Sequence, residues 1–178
     1  METLYVVGAE QKGEVLQDWQ QYKKGVILEV DPAHQAVEVR KEYVSPKHVI
    51  PNENPSVSFT AASIVNNQMY VGTQTEILAY ALPSFKQTDY LSLPCFNDIH
   101  HVRPTKNGNF LIVNTGLDMV LEATLQGDIV KEWNVLGKNP WHRFTKSMDY
   151  RKVSTTKPHE SHPNYVFTIG QDIWVTRC

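Results

Sequence analysis

The stretch His100–Val135 reads HHVRPTKNGNFLIVNTGLDMVLEATLQGDIVKEWNV. Four short apolar runs lie in it: His100–Arg103, Asn109–Asn114, Met119–Leu125 and Ile129–Val135. Between them stand Pro104-Thr105-Lys106-Asn107-Gly108, Thr115-Gly116-Leu117-Asp118 and Gln126-Gly127-Asp128, each rich in residues that suit tight turns. Runs this short cannot be helices, and connections of three to five residues suit antiparallel neighbours. The spacing predicts an up-and-down meander of four strands.

The same layout recurs upstream. QMYVGTQTEILAYALPSFKQTDYL, from Gln68, aligns with NFLIVNTGLDMVLEATLQGDIVKEW, from Asn109, and pairs Tyr70 with Leu111, 41 positions later. Val57–Val65 reads as the strand before it. Thr3–Gly8, Gly25–Val30 and Ala36–Val44 give a first unit with a longer insert, and HPNYVFTIGQDIWVTRC, from His162, starts a last one. Four-stranded units repeating every 40–45 residues or so are the signature of β-propeller blades. The expectation is an all-β, propeller-type single domain over residues 1–178. Its approximate blades are 1–50, 57–94, 98–136 and a partial 160–178, forming a four-bladed or incomplete ring.

Two segments stand outside this pattern. Glu14–Lys24 reads either as a short helix, with Val15, Leu16, Trp19 and Tyr22 roughly on one face, or as a strand and loop. Leu136–Pro163 is a long connection; loops of that length are usually functional or hide further structure.

HHVRPTKNGNFLIVNT, from His100, resembles the His-His, Asn-Gly-Asn and apolar-strand pattern of arylsulfotransferase-like propellers, and HESHPNYVF, from His159, is similar to their second histidine segment. More broadly the chain resembles bacterial gluconolactonase-like, strictosidine-synthase-like and NHL-repeat propellers. The resemblance covers about residues 57–178. It implies a small molecule processed in a central channel by sulfuryl transfer, lactone hydrolysis or a lyase reaction, and does not choose among them. Those families carry more blades than the four or so that 178 residues hold. An incomplete ring leaves strand edges that can pair with another chain. The expected partners are a second copy or another chain completing the ring, and a small-molecule ligand.

Composition excludes other classes. Lys and Arg number 17 against 19 Asp and Glu, a net charge of −2, which argues against a nucleic-acid backbone or an anionic membrane as partner. No run approaches the roughly 20 apolar residues of a membrane helix. The N-terminal METLYVVGAEQKGEV lacks the features of a signal peptide, and Cys95 and Cys178 suit neither a metal motif nor a disulfide framework. The expectation is a cytoplasmic protein with two free thiols.

Histidine supplies the candidate chemistry. Five of the seven, His100, His101, His142, His159 and His162, fall between positions 100 and 162. Inner-strand starts of successive blades converge on a propeller's channel, and His101 and His162 would begin two of them. They are the candidate catalytic residues and the candidate ligands of a divalent metal, with a carboxylate such as Asp98 or Glu160 orienting a ring. His100 and His101 point to opposite faces of a strand, so at most one reaches the channel. Equally, a histidine at a strand start can be a hydrogen-bonded structural residue. Asn114 and Asn164 are candidate substrate contacts or local backbone partners. Arg143 and Trp141, in KNPWHRFTKSMDYRK, read either as an anion clamp at the channel mouth or as part of an excursion packed down by its rings.

Overall fold

The computed structural model describes residues 3–13, 16–17 and 20–178. Strands β1 (Leu4–Gln11), β2 (Tyr22–Asp31) and β3 (Ala36–Tyr43) form the first sheet. The second comprises β4 (Ala62–Val65), β5 (Gln68–Gly72), β6 (Ile77–Ala81) and β7 (Lys86–Leu91), and the third β8 (Ile99–Pro104), β9 (Phe110–Asn114), β10 (Met119–Ala123) and β11 (Ile129–Asn134). In the fourth, β12 (Pro163–Ile169) pairs with β13 (Asp172–Arg177). Each strand pairs antiparallel with its sequence neighbour, as the short polar turns require. The architecture is all-β and propeller-type, and the ring is open. Of the ambiguous Glu14–Lys24, residues 14, 15, 18 and 19 lie outside the described residues, and the chain is strand from Tyr22.

The sheets stack face to face, and the repeat shows in which way side chains turn. Met69, Val71, Leu78 and Tyr80 pack with Ile27 and Phe59 in the core between the first two sheets. Phe110, Ile112, Met119 and Leu121, each 41 positions later, join Ile77, Leu91 and Ile99 in the core between the second and third. The intervening Leu111, Val113 and Val120 pack with Val166 of the fourth sheet. A strand sandwiched between blades must be apolar on both faces, and every residue of FLIVN in β9 is buried.

Only Ala62–Val65 of the expected strand Val57–Val65 joins a ladder. Val57, Phe59 and Thr60 donate their N–H groups to Tyr22 O, Gly8 O and Gly72 O instead, so this segment laces the first sheet to the second. Phe59 fits only because Gly25 lies opposite: a Cβ there would come within 3.1 Å of the Phe59 backbone nitrogen. Glu76, fully buried, is a second tie. It accepts from Tyr43 Oη at 2.6 Å, Tyr90 Oη at 2.9 Å and Thr73 Oγ1 at 3.2 Å, joining β3 to the second sheet.

The long connection after β11 has one 3₁₀ turn, Tyr150–Lys152. Tyr150 is buried in the core, its N–H donating to Pro94 O at 2.7 Å, and Trp141, Phe144 and Val153 pack against the same cluster. Lys152 Nζ donates to Lys47 O and Ile50 O, carrying the connection back to the segment after the first sheet.

Asn97 organises the turn before β8. Its N–H donates to Asn114 Oδ1 at 2.9 Å, and its Nδ2 to Tyr150 O and Val153 O at 2.9 and 2.8 Å. Gly116 returns its N–H to Asn97 O at 3.0 Å, so close that a Cβ at Gly116 would meet both the amide of Asn97 and its carbonyl oxygen, the latter at 2.7 Å. Gly116→Ala is therefore expected to cost about 1–3 kcal/mol, read as a lowered urea midpoint with unchanged slope. An unchanged midpoint would mean that this turn moves freely.

Candidate functional site

A cavity of about 300 Å³ opens at the end of the sheets where the 50–60 segment, the turn 74–75, the turn 97–100 and the loop 153–162 meet. His100, His159, His162 and Asp98 line it. One ring nitrogen of each of His100 and His162 and one carboxylate oxygen of Asp98 lie within 4.8 Å of one another. His100 Nε2 is 3.3 Å from Asp98 Oδ1, and His100 Nδ1 is 2.9 Å from Asn164 Oδ1. The ring of His162 meets His100 edge-on at 5.1 Å between centroids and lies 5.2 Å from the ring of His159.

The backbone departs from regular strand at these residues. The β8–β9 register shifts between Ile99 and His101, and the β12–β13 register between Pro163 and Tyr165. His100 and Asn164, which touch each other, are the residues at the two irregularities. A bulge re-aims one side chain out of the alternation. Here Ile99 and Val102 share one core, His101 turns away from it, and His100 faces the cavity. Asp98 and His162 adopt positive φ, 51° and 41°, in the left-handed region that few side chains tolerate.

One buried carboxylate fixes the loop. Asp118 Oδ1 accepts the N–H of Ser161 at 2.7 Å, that of His162 at 3.2 Å and the Ser161 hydroxyl at 2.9 Å. Asp118 Oδ2 accepts the N–H of Glu160 at 3.0 Å and Arg143 Nη1 at 2.6 Å. Burial alone would push this carboxyl up, but the backbone N–H bonds of Glu160, Ser161 and His162 outweigh it and hold it below its ordinary value.

Burial also opposes ionisation of Asp98, yet the adjacent His100 holds its carboxyl down. Burial lowers His100 as well, and Asp98 more than compensates, so its imidazole is raised. The pair thus favours its charged form. His159 and His162 are lowered, in both cases chiefly by burial, with the charge of His100 adding to the effect at His162.

His101 lies outside this cavity. Val166 N–H donates to its Nδ1 at 3.3 Å, so Nε2 carries the proton and donates to Ser63 Oγ at 3.0 Å. Its ring stacks on Tyr165 at 3.8 Å. Both nitrogens serve to join three sheets, and His101 does not meet His162; its neighbour His100 does. Asn114 is buried, accepting from Asn97 and donating to Cys95 O at 2.7 Å. Arg143 bonds Asp118 and Pro158 O, and Trp141 Nε1 donates to Glu132 Oε2 at 2.9 Å; neither lines the cavity. Asn164 holds His100 from behind. Of the two carboxylates expected to orient a ring, Asp98 meets His100 at the cavity, and Glu160 meets His142 and Lys138 outside it. Cys95 is buried and free, its thiol pushed up to about 12 by burial; Cys178 is exposed and free. Among the described residues no helix is long and apolar enough to cross a membrane.

No protein-family profile and no curated protein matches the chain. Solved structures do. A catalytically inactive variant of virginiamycin B lyase from Staphylococcus aureus, determined with quinupristin, superposes with a TM-score of 0.51 at 11% identity, over 97% of this chain and 53% of that one. The selenomethionine form of the same lyase gives 0.49 at 12% identity, over 98% and 53%. A protein of unknown function from Bacteroides caccae gives 0.46 at 11% identity, over 96% and 64%. The chain spans about half the length of the lyase structures it matches. At this identity the likeness is one of fold: the chain is similar in architecture to a propeller-type lyase.

The placement of His101 has a pH signature. Burial lowers it from 6.5 to about 4, so between those values the unfolded chain binds a proton that the folded one refuses. Its neutral state costs nothing above pH 6.5, and stability falls as pH drops from 6.5 to 4. Denaturant titrations across this window should show wild type losing about 2–3 kcal/mol more than His101→Gln. Parallel pH profiles would refute the buried neutral ring.

Proposed function

We propose that the chain carries the reaction cavity of a propeller-type enzyme that acts on a small polar molecule by acid–base chemistry, of the lyase class. The observation that carries this reading is the convergence of Asp98, His100, His159 and His162 on one cavity from two separate segments. A core has no use for four ionisable groups, and pockets of this size suit small ligands. The fold's likeness to a lyase supports the class, which also lies within the hydrolase, lyase or transferase range that the sequence suggests. In such a step an imidazole takes the proton beside an electron-withdrawing group. The leaving group departs from the adjacent carbon with its bonding pair, a double bond forms, and the proton passes to the leaving group. His159 suits the proton-moving part, since it borders the cavity without belonging to the Asp98–His100 pair.

The test is conversion, followed by chromatography and mass spectrometry, of quinupristin, p-nitrophenyl sulfate and gluconolactone. Turnover of quinupristin, reduced by roughly 100-fold or more in His159→Ala, is expected. Turnover of only the sulfate or the lactone would move the class to transferase or hydrolase. No turnover, and no thermal shift from any of the three, would leave the alternative of a non-catalytic binding scaffold.

A second reading concerns the partner. Leu4, Val30 and Val37 form one cross-strand row of the first sheet, and Val6, Leu28 and Val39 the next. On this face Leu4, Val6, Val37 and Val39 are 53, 42, 63 and 55% exposed. At the other end of the arc, Trp174 pairs with Phe167 and is 51% exposed. We infer that a second copy covers both faces: each first sheet meets the other copy's last sheet, and a twofold axis closes the ring. A chain spanning about half of a complete propeller fits two copies. Native mass spectrometry should find twice the 20.3 kDa protomer mass, and Val39→Lys should return it to monomer. A wild-type monomer would overturn this reading and leave another chain as the partner.

A further inference from the structure

We propose that Asp98, His100 and His162 form a site for one divalent transition-metal ion, open on its free side to the cavity. The inference goes beyond the reading of the cavity as a reaction site and does not depend on it, since a metal can be detected with no substrate in hand.

Three observations carry it. First, the donors suit the ion. Two imidazoles and a carboxylate are the ligand set of open zinc and non-haem iron centres. The ligand atoms lie within 4.8 Å of one another, and His100 Nε2 and Asp98 Oδ1 are 3.3 Å apart. Two donors each about 2.0–2.1 Å from a shared tetrahedral ion would themselves be about 3.3 Å apart.

Second, the outer shell is built. Metal-ligating histidines hand their other nitrogen to a fixed acceptor, which sets the tautomer. His100 Nδ1 meets Asn164 Oδ1 at 2.9 Å, and Asn164 Nδ2 in turn donates to Cys178 Sγ at 3.1 Å, which fixes the amide's orientation. Nδ1 therefore keeps its proton, and a bound ion would take the place of the proton on Nε2, the nitrogen that faces Asp98. On the far side, Asp118 holds the His162 N–H and those of the two residues before it.

Third, the backbone is constrained where the ligands sit. His100 falls at a bulge, and Asp98 and His162 have φ of 51° and 41°. These turns bring the Asp98 and His162 side chains to the same point as His100. Strain of this kind is retained where surrounding structure enforces it, and it collects at functional sites. The adjoining cavity leaves room for water or substrate in the remaining positions, the arrangement of a catalytic rather than a structural centre.

The experiment uses the full chain after chelator treatment and dialysis. Zn²⁺ binding is measured by isothermal titration calorimetry, and Co²⁺ binding by visible absorption, which reports ligand number and geometry. One equivalent of Zn²⁺ is expected, with a Co²⁺ spectrum of four- or five-coordinate type. His100→Ala and His162→Ala should each weaken binding at least 100-fold. Asn164→Ala should weaken it 10–100-fold, the usual effect of losing an outer-shell partner. His142→Ala, at the Lys138–Glu160 cluster, should leave it unchanged. If an alanine variant fails to fold by circular dichroism, His162→Gln and the wild-type Co²⁺ spectrum decide. No binding, an octahedral aquo-like Co²⁺ spectrum, or binding indifferent to His100 and His162 would overturn the site. Loss of turnover in His159→Ala with metal binding intact separates this result from the functional reading.

Discussion

The candidate site depends on one buried carboxylate. Asp118 lies at the end of the 3₁₀ turn Thr115–Leu117 with a positive φ of 55°, and its two oxygens take up three consecutive backbone N–H groups, a hydroxyl and a guanidinium. A loop without helix or strand has no ladder to satisfy its amides, so a carboxylate placed inside does that work. Arg143 reinforces the arrangement by holding Asp118 with one nitrogen and Pro158 O with the other. The loop carrying His159 and His162 is thereby fixed to the third sheet, even though it has almost no apolar side chain to bury.

The two bulges then decide which residues meet. Regular alternation would send Ile99 and His101 to the same face of β8. With the extra residue at His100 that parity is broken: Ile99 and Val102 share the core between the second and third sheets, while His101 turns to the Ser63 hydroxyl and the Val166 N–H. His100 is released toward Asn164, which the second bulge presents. One adjacent histidine pair thus serves two ends: a buried neutral ring that binds sheets together, and a cavity ring paired with a carboxylate.

Much of this order is legible in the sequence, and the limit has a physical cause. Strand runs, turn residues and the 41-residue repeat are local, and FLIVN announces a strand covered on both faces. That local reading produced the sheets and the equivalence of Tyr70 with Leu111. Bulges carry no local signature here, so the sequence points to His101 where the structure brings His100 to His162. Asp98 was visible as a carboxylate near a ring, and His162 as the start of a strand. In sequence Asp118 reads as any turn aspartate, because the backbone N–H groups it accepts lie more than 40 positions away. Arg143 and Trp141 read as either a clamp or a packed excursion, and their carboxylates, Asp118 and Glu132, are met only in the folded chain.

The site and the open ring are separable. Asp98 and His100 stand at the entry of β8, and His159 and His162 on the loop before β12, both tied to the third sheet through Asn97, Asn114, Gly116 and Asp118. Tyr22 of the first sheet, Ser56 and Ser58 of the segment that laces the first two sheets, and Gln74 of the turn after β5 complete the cavity wall. The exposed aliphatic rows of the first sheet and the outward side of Trp174 take no part in that network. A second copy covering those faces would add apolar burial, and with it stability, without supplying any of the three proposed ligands. The two properties draw on different physics: the ligands are placed by directional bonds to backbone amides, and the open faces by apolar area alone.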